Sequence, residues 1–157
     1  MNDLVIRRAT KKDSQGFLKL LVSLANFEHL KSPSSAAKKR ILRDVFSKKI
    51  NLFIASIDST AVGYALYFYT YSSFLAKPTL YLEDIFVLQD FRGQGVGKQL
   101  FLKCAREAVK QGCGRMEWSV LTWNRNAIRF YEKLGAKRLK EWYYYRLDSD
   151  TLKTLSK

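Results

Sequence analysis

Residues 81–100 read Tyr-Leu-Glu-Asp-Ile-Phe-Val-Leu-Gln-Asp-Phe-Arg-Gly-Gln-Gly-Val-Gly-Lys-Gln-Leu, and the rest of the chain is organised around them. The half ending at Val87 is an apolar run broken only by Glu83 and Asp84, as expected of a central strand covered on both faces. The other half sets Gly93, Gly95 and Gly97 at alternate positions just where an apolar pattern of helical period begins. Glycines there let backbone N–H groups approach a ligand without a Cβ in the way, and the unpaired N–H groups of a helix start favour an anion. The stretch predicts a cradle for a pyrophosphate.

Two familiar phosphate loops are excluded by spacing. Gly97-Lys98 is followed by Gln99 and not by Ser or Thr, and the preceding glycines leave too short a loop for a nucleoside-triphosphate site. Gly93-x-Gly95-x-Gly97 has the wrong third interval for a dinucleotide fingerprint, and its strand comes after half the chain instead of opening a βαβ unit.

On the N-terminal side, residues 4–8 alternate as a short strand, and Thr10 with Asp13 resembles a capping box at a helix start. Phe17, Leu20, Leu21 and Leu24 then form one apolar stripe, and a second amphipathic helix carrying Ile41, Leu42, Val45 and Phe46 should start near Ser34 or Ser35. Residues 52–57 and 61–71, rich in β-branched and aromatic side chains, flank the turn-forming Asp58-Ser59-Thr60 and read as a hairpin. The central strand follows over residues 79–87.

On the C-terminal side, a helix from Gly95 to about Gln111 buries Leu100, Phe101, Cys104, Ala105 and Ala108, and residues 115–121 make another strand. Asn124 is placed to cap a helix that ends at Gly135, and residues 138–147 read as a final strand or hairpin. The order of elements predicts an α/β chain of mixed α+β type, a mixed and mostly antiparallel sheet flanked by about four helices. All 157 residues are expected to form one domain, with no repeat or linker to divide it.

A formal charge of +14 suits a polyanionic ligand, an acidic partner or nucleic acid, but the Lys and Arg residues are spread along the whole chain with no nucleic-acid motif beside them. A solvated basic surface is the expectation, with nucleic acid not indicated beyond general charge. No apolar run reaches the roughly 20 residues of a membrane span and the N-terminus lacks a signal-peptide order, so a cytoplasmic protein without membrane contact is expected. Cys104 and Cys113 have no CxxC spacing and are expected to be free thiols, with no metal site. His29 is the sole histidine and no nucleophile motif accompanies it, so a His-based triad is not expected.

Arg92-x-x-Gly95-x-Gly97 matches the (Gln/Arg)-x-x-Gly-x-(Gly/Ala) motif, and Asn124-x-x-Ala127-x-x-Phe130-Tyr131-x-x-x-Gly135-Ala136 matches a second diagnostic segment, of the GNAT superfamily of N-acetyltransferases. The chain resembles that family along nearly its whole length. Residues 67–71, residues 80–87 and the tail with Trp142 resemble its diamine (spermidine/spermine) and thialysine acetyltransferase branch. The resemblance implies the GNAT fold and acetyl-CoA as cofactor. It also implies a small-molecule amine as acceptor and a homodimer, with residues 142–145, Leu152 and Leu155 offering apolar surface.

The resemblance implies these roles for single residues. Gly93, Gln94, Gly95, Val96, Gly97 and Lys98 would hold the pyrophosphate with Arg92 beside them, and Val87 and Leu88 would bond pantetheine through their main chains. Asn124 would cap its helix and touch the pantetheine arm. Tyr131 would lie beside the thioester and act as general acid. Glu83 would accept the amine's proton through water as general base. Glu83 and Asp84 are expected to point to opposite faces of the strand, and ionised carboxylates there are costly unless paired, hydrated or used. Glu28, Phe74 and Asp84 would bind the substrate.

This chain departs from the branch at Lys31 and Ser32 and at Ser72-Ser73, where the branch carries acids. Fewer acids and a net +14 disfavour a polyamine and favour thialysine, another amino acid, or a lysine on an acidic protein surface. Acetylation of protein lysine or an N-terminus is the alternative activity, and a non-catalytic acyl-CoA- or nucleic-acid-binding module the less favoured one.

Overall fold

The structure, a computed structural model, describes residues 3–156. Residues 3–119 make one compact unit and residues 120–156 a second.

The first unit is built on a five-stranded sheet in sequence order: β1 (Leu4–Arg8), β2 (Asn51–Ile57), β3 (Thr60–Ser72), β4 (Lys77–Val87) and β5 (Arg115–Glu117). Neighbours are antiparallel except β4 and β5, which run parallel. The mixed, mostly antiparallel sheet expected from the sequence is therefore present. Asp58 and Ser59 both have positive φ, 48° and 64°, the backbone twist that a two-residue hairpin loop requires.

Three helices cover the sheet: α1 (Ser14–Phe27), α2 (Ser35–Phe46) and α3 (Val96–Lys110). The expected caps form. Asp13 accepts from the Thr10 N–H at 2.7 Å, through a 3-10 turn ahead of α1, and Ser34 accepts from the Ala37 N–H at 3.2 Å. Phe17, Leu20 and Leu24 of α1 and Val45 of α2 bury against Leu52, Ile54, Tyr64, Leu66 and Phe86. Side chains next in sequence face the other way: Phe53 lies beneath Lys103 of α3 at 5.8 Å, and Arg8 reaches Glu107 of α3 at 2.6 Å. Thus α1 and α3 lie on opposite faces of the sheet.

The pairing of β4 with β5 covers only Thr79 to Tyr81. From Leu82 to Val87, β4 has β3 on one side and, among the described residues, no strand on the other. The strand expected over residues 115–121 is thus three residues long.

The second unit holds α4 (Arg125–Lys133) and α5 (Ser149–Leu155). The second helix was not expected from the sequence; Asp148 caps it by accepting the Thr151 N–H at 2.8 Å. The strand expected over residues 138–147 does not form. Trp142, Tyr143, Tyr144 and Tyr145 are each at least 76% exposed. Four large aromatics in succession give no alternation between a buried and an open face, and no strand among the described residues supplies a ladder for their backbone groups. No helix among the described residues is long and apolar enough to cross a membrane.

Candidate active site

The glycine turn forms as its spacing demands. Gly93 and Gly95 have φ of 76° and 85°, and a Cβ built on either would meet nothing within 4 Å. The requirement for glycine is therefore backbone conformation, and the space beside the turn is open. Gly95 caps α3, whose first helical bond runs from the Gln99 N–H to the Gly95 carbonyl at 3.0 Å. Helical geometry leaves the N–H groups of Val96, Gly97 and Lys98 ahead of it without an intrahelical acceptor. An open turn backed by these donors fits the pyrophosphate of coenzyme A.

Arg92 enters this turn differently from the sequence expectation. Its Nε–H donates to the Val87 carbonyl at 2.9 Å, and its guanidinium stacks on Phe27 at 4.7 Å and on Phe86 at 5.5 Å. Of the Leu88 main chain, expected to bond pantetheine, the N–H already donates to the Val62 carbonyl at 2.9 Å. The Val87 carbonyl keeps a second lone pair beside the bond from Arg92.

Midway along the open part of β4 lies an acidic cluster. The β3–β4 register passes from Leu66 opposite Asp84 to Tyr67 opposite Leu82, leaving Glu83 as the extra residue of a bulge. The alternation that was expected to send Glu83 and Asp84 to opposite faces is interrupted at that point. Glu83 is exposed, while Asp84 is half-buried and accepts a 3.2 Å hydrogen bond from the Tyr64 hydroxyl. Burial and the charge of Glu83, with a smaller contribution from Glu28, push the Asp84 carboxyl up to about 6 against the lowering effect of Tyr64. Burial also raises Glu28, which caps the C-terminal end of α1. The buried Tyr64 phenol is raised well above its ordinary value by burial first and by Asp84 next.

Phe74 does not join this cluster. It is 100% exposed at the tip of the β3–β4 hairpin, with roughly 20 Å of strand between Lys77 and Asp84.

In the second unit, Asn124 accepts from the Ala127 N–H at 3.2 Å and so caps α4. The helix ends in paired bonds, Gly135 N–H to the Glu132 carbonyl at 3.0 Å and Ala136 N–H to the Tyr131 carbonyl at 3.1 Å, with Gly135 at φ 87°. Tyr131 is buried, its ring 5.2 Å from that of Phe130. Burial pushes its phenol up to about 12, so it stays protonated at neutral pH.

The structure thus joins Glu28, Glu83 and Asp84 in one place and puts the strand that carries two of them directly ahead of the glycine turn. Tyr64 was missed by the sequence reading. Its only signal was a hydroxyl in an apolar strand, and the bond to Asp84 depends on a diagonal pairing that the register of β3 on β4 alone reveals.

Residues 18–136 match the family described as Acetyltransferase (GNAT) family. The chain is 48% identical over 100 residues to an L-ornithine N5-acetyltransferase of Arabidopsis thaliana; this match takes in 64% of the chain and 44% of that protein. It is 31% identical to a thialysine N-epsilon-acetyltransferase of Sus scrofa over 99% of both. Among solved structures, an integron cassette protein from V. cholerae superposes with a TM-score of 0.81 at 25% identity over 98% of both chains. AAC(6')-Iy in complex with a bisubstrate analogue, CoA-S-monomethyl-acetylneamine, superposes with a TM-score of 0.79 at 25% identity over 93% of this chain and 99% of that one. The chain belongs to the GNAT acetyltransferase family and is an acetyl-CoA-dependent N-acetyltransferase.

Proposed function

We infer that the acceptor is the terminal amine of a small basic amino acid, of the kind named for the ornithine and thialysine acetyltransferases to which the chain is similar. The observation that carries this reading is the cluster of Glu28, Glu83 and Asp84 around Tyr64, at an open strand edge leading into the glycine turn. Three carboxylates attract one ammonium group strongly, whereas a polyamine needs further acids where this chain has Lys31, Ser32, Ser72 and Ser73. The net +14 of the chain suits an acceptor that also bears a carboxylate.

In this reading Gly93 to Lys98 hold the pyrophosphate through their backbone, and bound acetyl-CoA supplies an activated acetyl thioester. Glu28 and Asp84 hold the ammonium. Glu83, exposed to water on the bulge, takes a proton from the amine through that water. The freed nitrogen lone pair would attack the thioester carbonyl directly: the C–N bond forms, the nitrogen releases its second proton to water, and the C–S bond breaks. Tyr131 gives its phenolic proton to the departing sulfur and recovers one from solvent. Asn124 orders the start of the helix that carries Tyr131.

One observation favours a second role for Asp84. A carboxyl at about 6 is better matched to accepting a proton near neutral pH than an ordinary one, so Asp84 shares the base function with Glu83. The reading also includes a single domain over residues 1–157, a cytoplasmic location suited to the free Cys104 and Cys113, and a homodimer that covers the exposed aromatics 142–145. Phe74 would then meet substrate only if a second copy presents its hairpin tip.

The test is a screen with acetyl-CoA of ornithine, thialysine, lysine, spermidine, spermine and lysine-containing peptides. Preference for the amino acids supports the reading. Preference for spermidine or for peptides overturns the substrate class.

A further inference from the structure

Arg92 sits beside Gly93 in a phosphate-binding motif, yet its guanidinium is engaged by protein. It bonds the Val87 carbonyl at 2.9 Å and lies over the rings of both Phe27 and Phe86, which also touch each other. Phe27 is the last residue of α1 and Glu28 is its cap. Past that end the chain turns through His29 at φ 58° and runs without regular structure to Ser34. The backbone holds the end by Glu28 N–H to the Leu24 carbonyl at 2.9 Å and Leu30 N–H to the Ala25 carbonyl at 2.8 Å. These bonds are internal to α1 and do not tie it to the sheet. The tilted contact of Phe27 with Phe86 at 6.5 Å and the guanidinium stacked on both rings do.

We propose that Arg92 is a positioning residue for the amine acceptor: by clamping Phe27 against the end of β4 it sets where Glu28 stands relative to Glu83 and Asp84. This rests on the reading above, in which Glu28 holds the ammonium. A planar guanidinium can stack on two rings and donate from Nε at once, and a lysine ammonium cannot, so Arg92→Lys removes the clamp while leaving the positive charge beside the turn. A phosphate ligand and a clamp therefore respond differently to the same substitution.

The experiment measures three quantities for wild type and Arg92→Lys: amide hydrogen exchange in the free protein, coenzyme A affinity by calorimetry, and the kinetics of the amine that the wild type prefers. Loss of two ring contacts and one hydrogen bond should speed exchange at the Glu28 and Leu30 amides about tenfold, with Ile54 and Tyr64 unchanged. The amine KM should rise about tenfold, with kcat within about threefold and the coenzyme A Kd within about twofold. Phe27→Leu leaves Arg92 and the turn intact and should reproduce the faster exchange and the higher KM.

Unchanged exchange at Glu28 and Leu30 overturns the clamp. Faster exchange with an unchanged amine KM overturns the positioning role. A weaker coenzyme A Kd with an unchanged amine KM makes Arg92 a phosphate ligand instead. A wild type that acetylates none of the screened amines overturns the acceptor reading and this proposal with it, whereas an active wild type with an unaltered Arg92→Lys KM overturns this proposal alone.

Discussion

The Tyr64 hydroxyl donates a 3.2 Å hydrogen bond to Asp84 Oδ2, and it is the one influence that lowers the carboxyl. Burial, Glu83 and Glu28 all raise it, to a resultant of about 6. Tyr64→Phe keeps the ring that packs edge-on against Phe17 at 5.1 Å and deletes the donor. The Asp84 carboxyl should then titrate higher, and the acid limb of kcat/KM should move to higher pH with it. Carboxyl NMR titration and a pH profile of kcat/KM check this. The variant should lose about 1 kcal/mol of stability.

Asp84 should cost the fold stability at neutral pH. Its folded pKa of about 6 lies above the ordinary 3.8, so the folded state binds the proton more tightly than the unfolded one. The associated stability is present in full below about pH 4 and is lost as pH rises through about 6. Asp84→Asn has no charge to bury and keeps an oxygen that can accept from Tyr64. It should be more stable than wild type by roughly 1–3 kcal/mol at pH 8, with the difference closing toward pH 4, in urea unfolding at the two pH values. Its amine KM should rise.

Glu83→Gln separates the two carboxylates. If Glu83 takes the proton, kcat should fall by roughly 10²–10⁴, with activity recovering toward high pH as the free amine becomes abundant. Removing its charge also relieves Asp84, whose carboxyl should titrate lower because Glu83 is one of the groups that raise it. A wild-type pH profile of kcat would take Glu83 out of the proton path.

Tyr131→Phe should lower kcat by at least about 10² while leaving the coenzyme A Kd within about twofold. The phenol, pushed up to about 12 by burial, is protonated across the working range, so its removal should not introduce a new limb in the pH profile below about pH 11. The retained ring fills the buried position, and an unchanged melting temperature would show that the lost turnover is chemical.

Local signals carried the parts of this chain that local physics decides. The glycine turn, the caps at Ser34 and Asn124, the stop at Gly135 and the stripe of Phe17, Leu20 and Leu24 each depend on residues within a few positions of one another, and each forms as expected. What the sequence withheld depends on register. The bulge at Glu83 arises from how β3 lies on β4, and no run of residues encodes it. The same register brings Tyr64 to Asp84, and the approach of α1 to the end of β4 brings Phe27 to Arg92, 65 positions apart by number but 4.7 Å apart in space. Residues 138–147 failed as a strand for the opposite reason: composition favoured one, but a strand exists only when a neighbour completes its ladder.

Two glycines near the site should fail for different reasons, and the contrast tests how the turn is held. At Gly95 a Cβ meets nothing within 4 Å, but φ is 85°, so Gly95→Ala should cost about 1–2 kcal/mol as backbone strain alone. Because the strain falls on the turn that aims the N–H groups, the coenzyme A Kd should rise by roughly tenfold or more. At Gly63 the backbone is ordinary and the space is not: a Cβ would lie 2.8 Å from the Phe86 carbonyl, 3.2 Å from Val87 Cγ2 and 3.3 Å from Leu100 Cδ1. The carbonyl belongs to the ladder between β3 and β4 and cannot swing aside as a side chain would. Gly63→Ala should therefore cost about 1–3 kcal/mol by overpacking and push the end of β4 away from β3, just where Val87 bonds Arg92. Urea unfolding and coenzyme A calorimetry on both variants check the contrast. A Gly63→Ala protein as stable as wild type would mean that β3 and β4 part there at little cost, and that the strand end is not the rigid base of the turn.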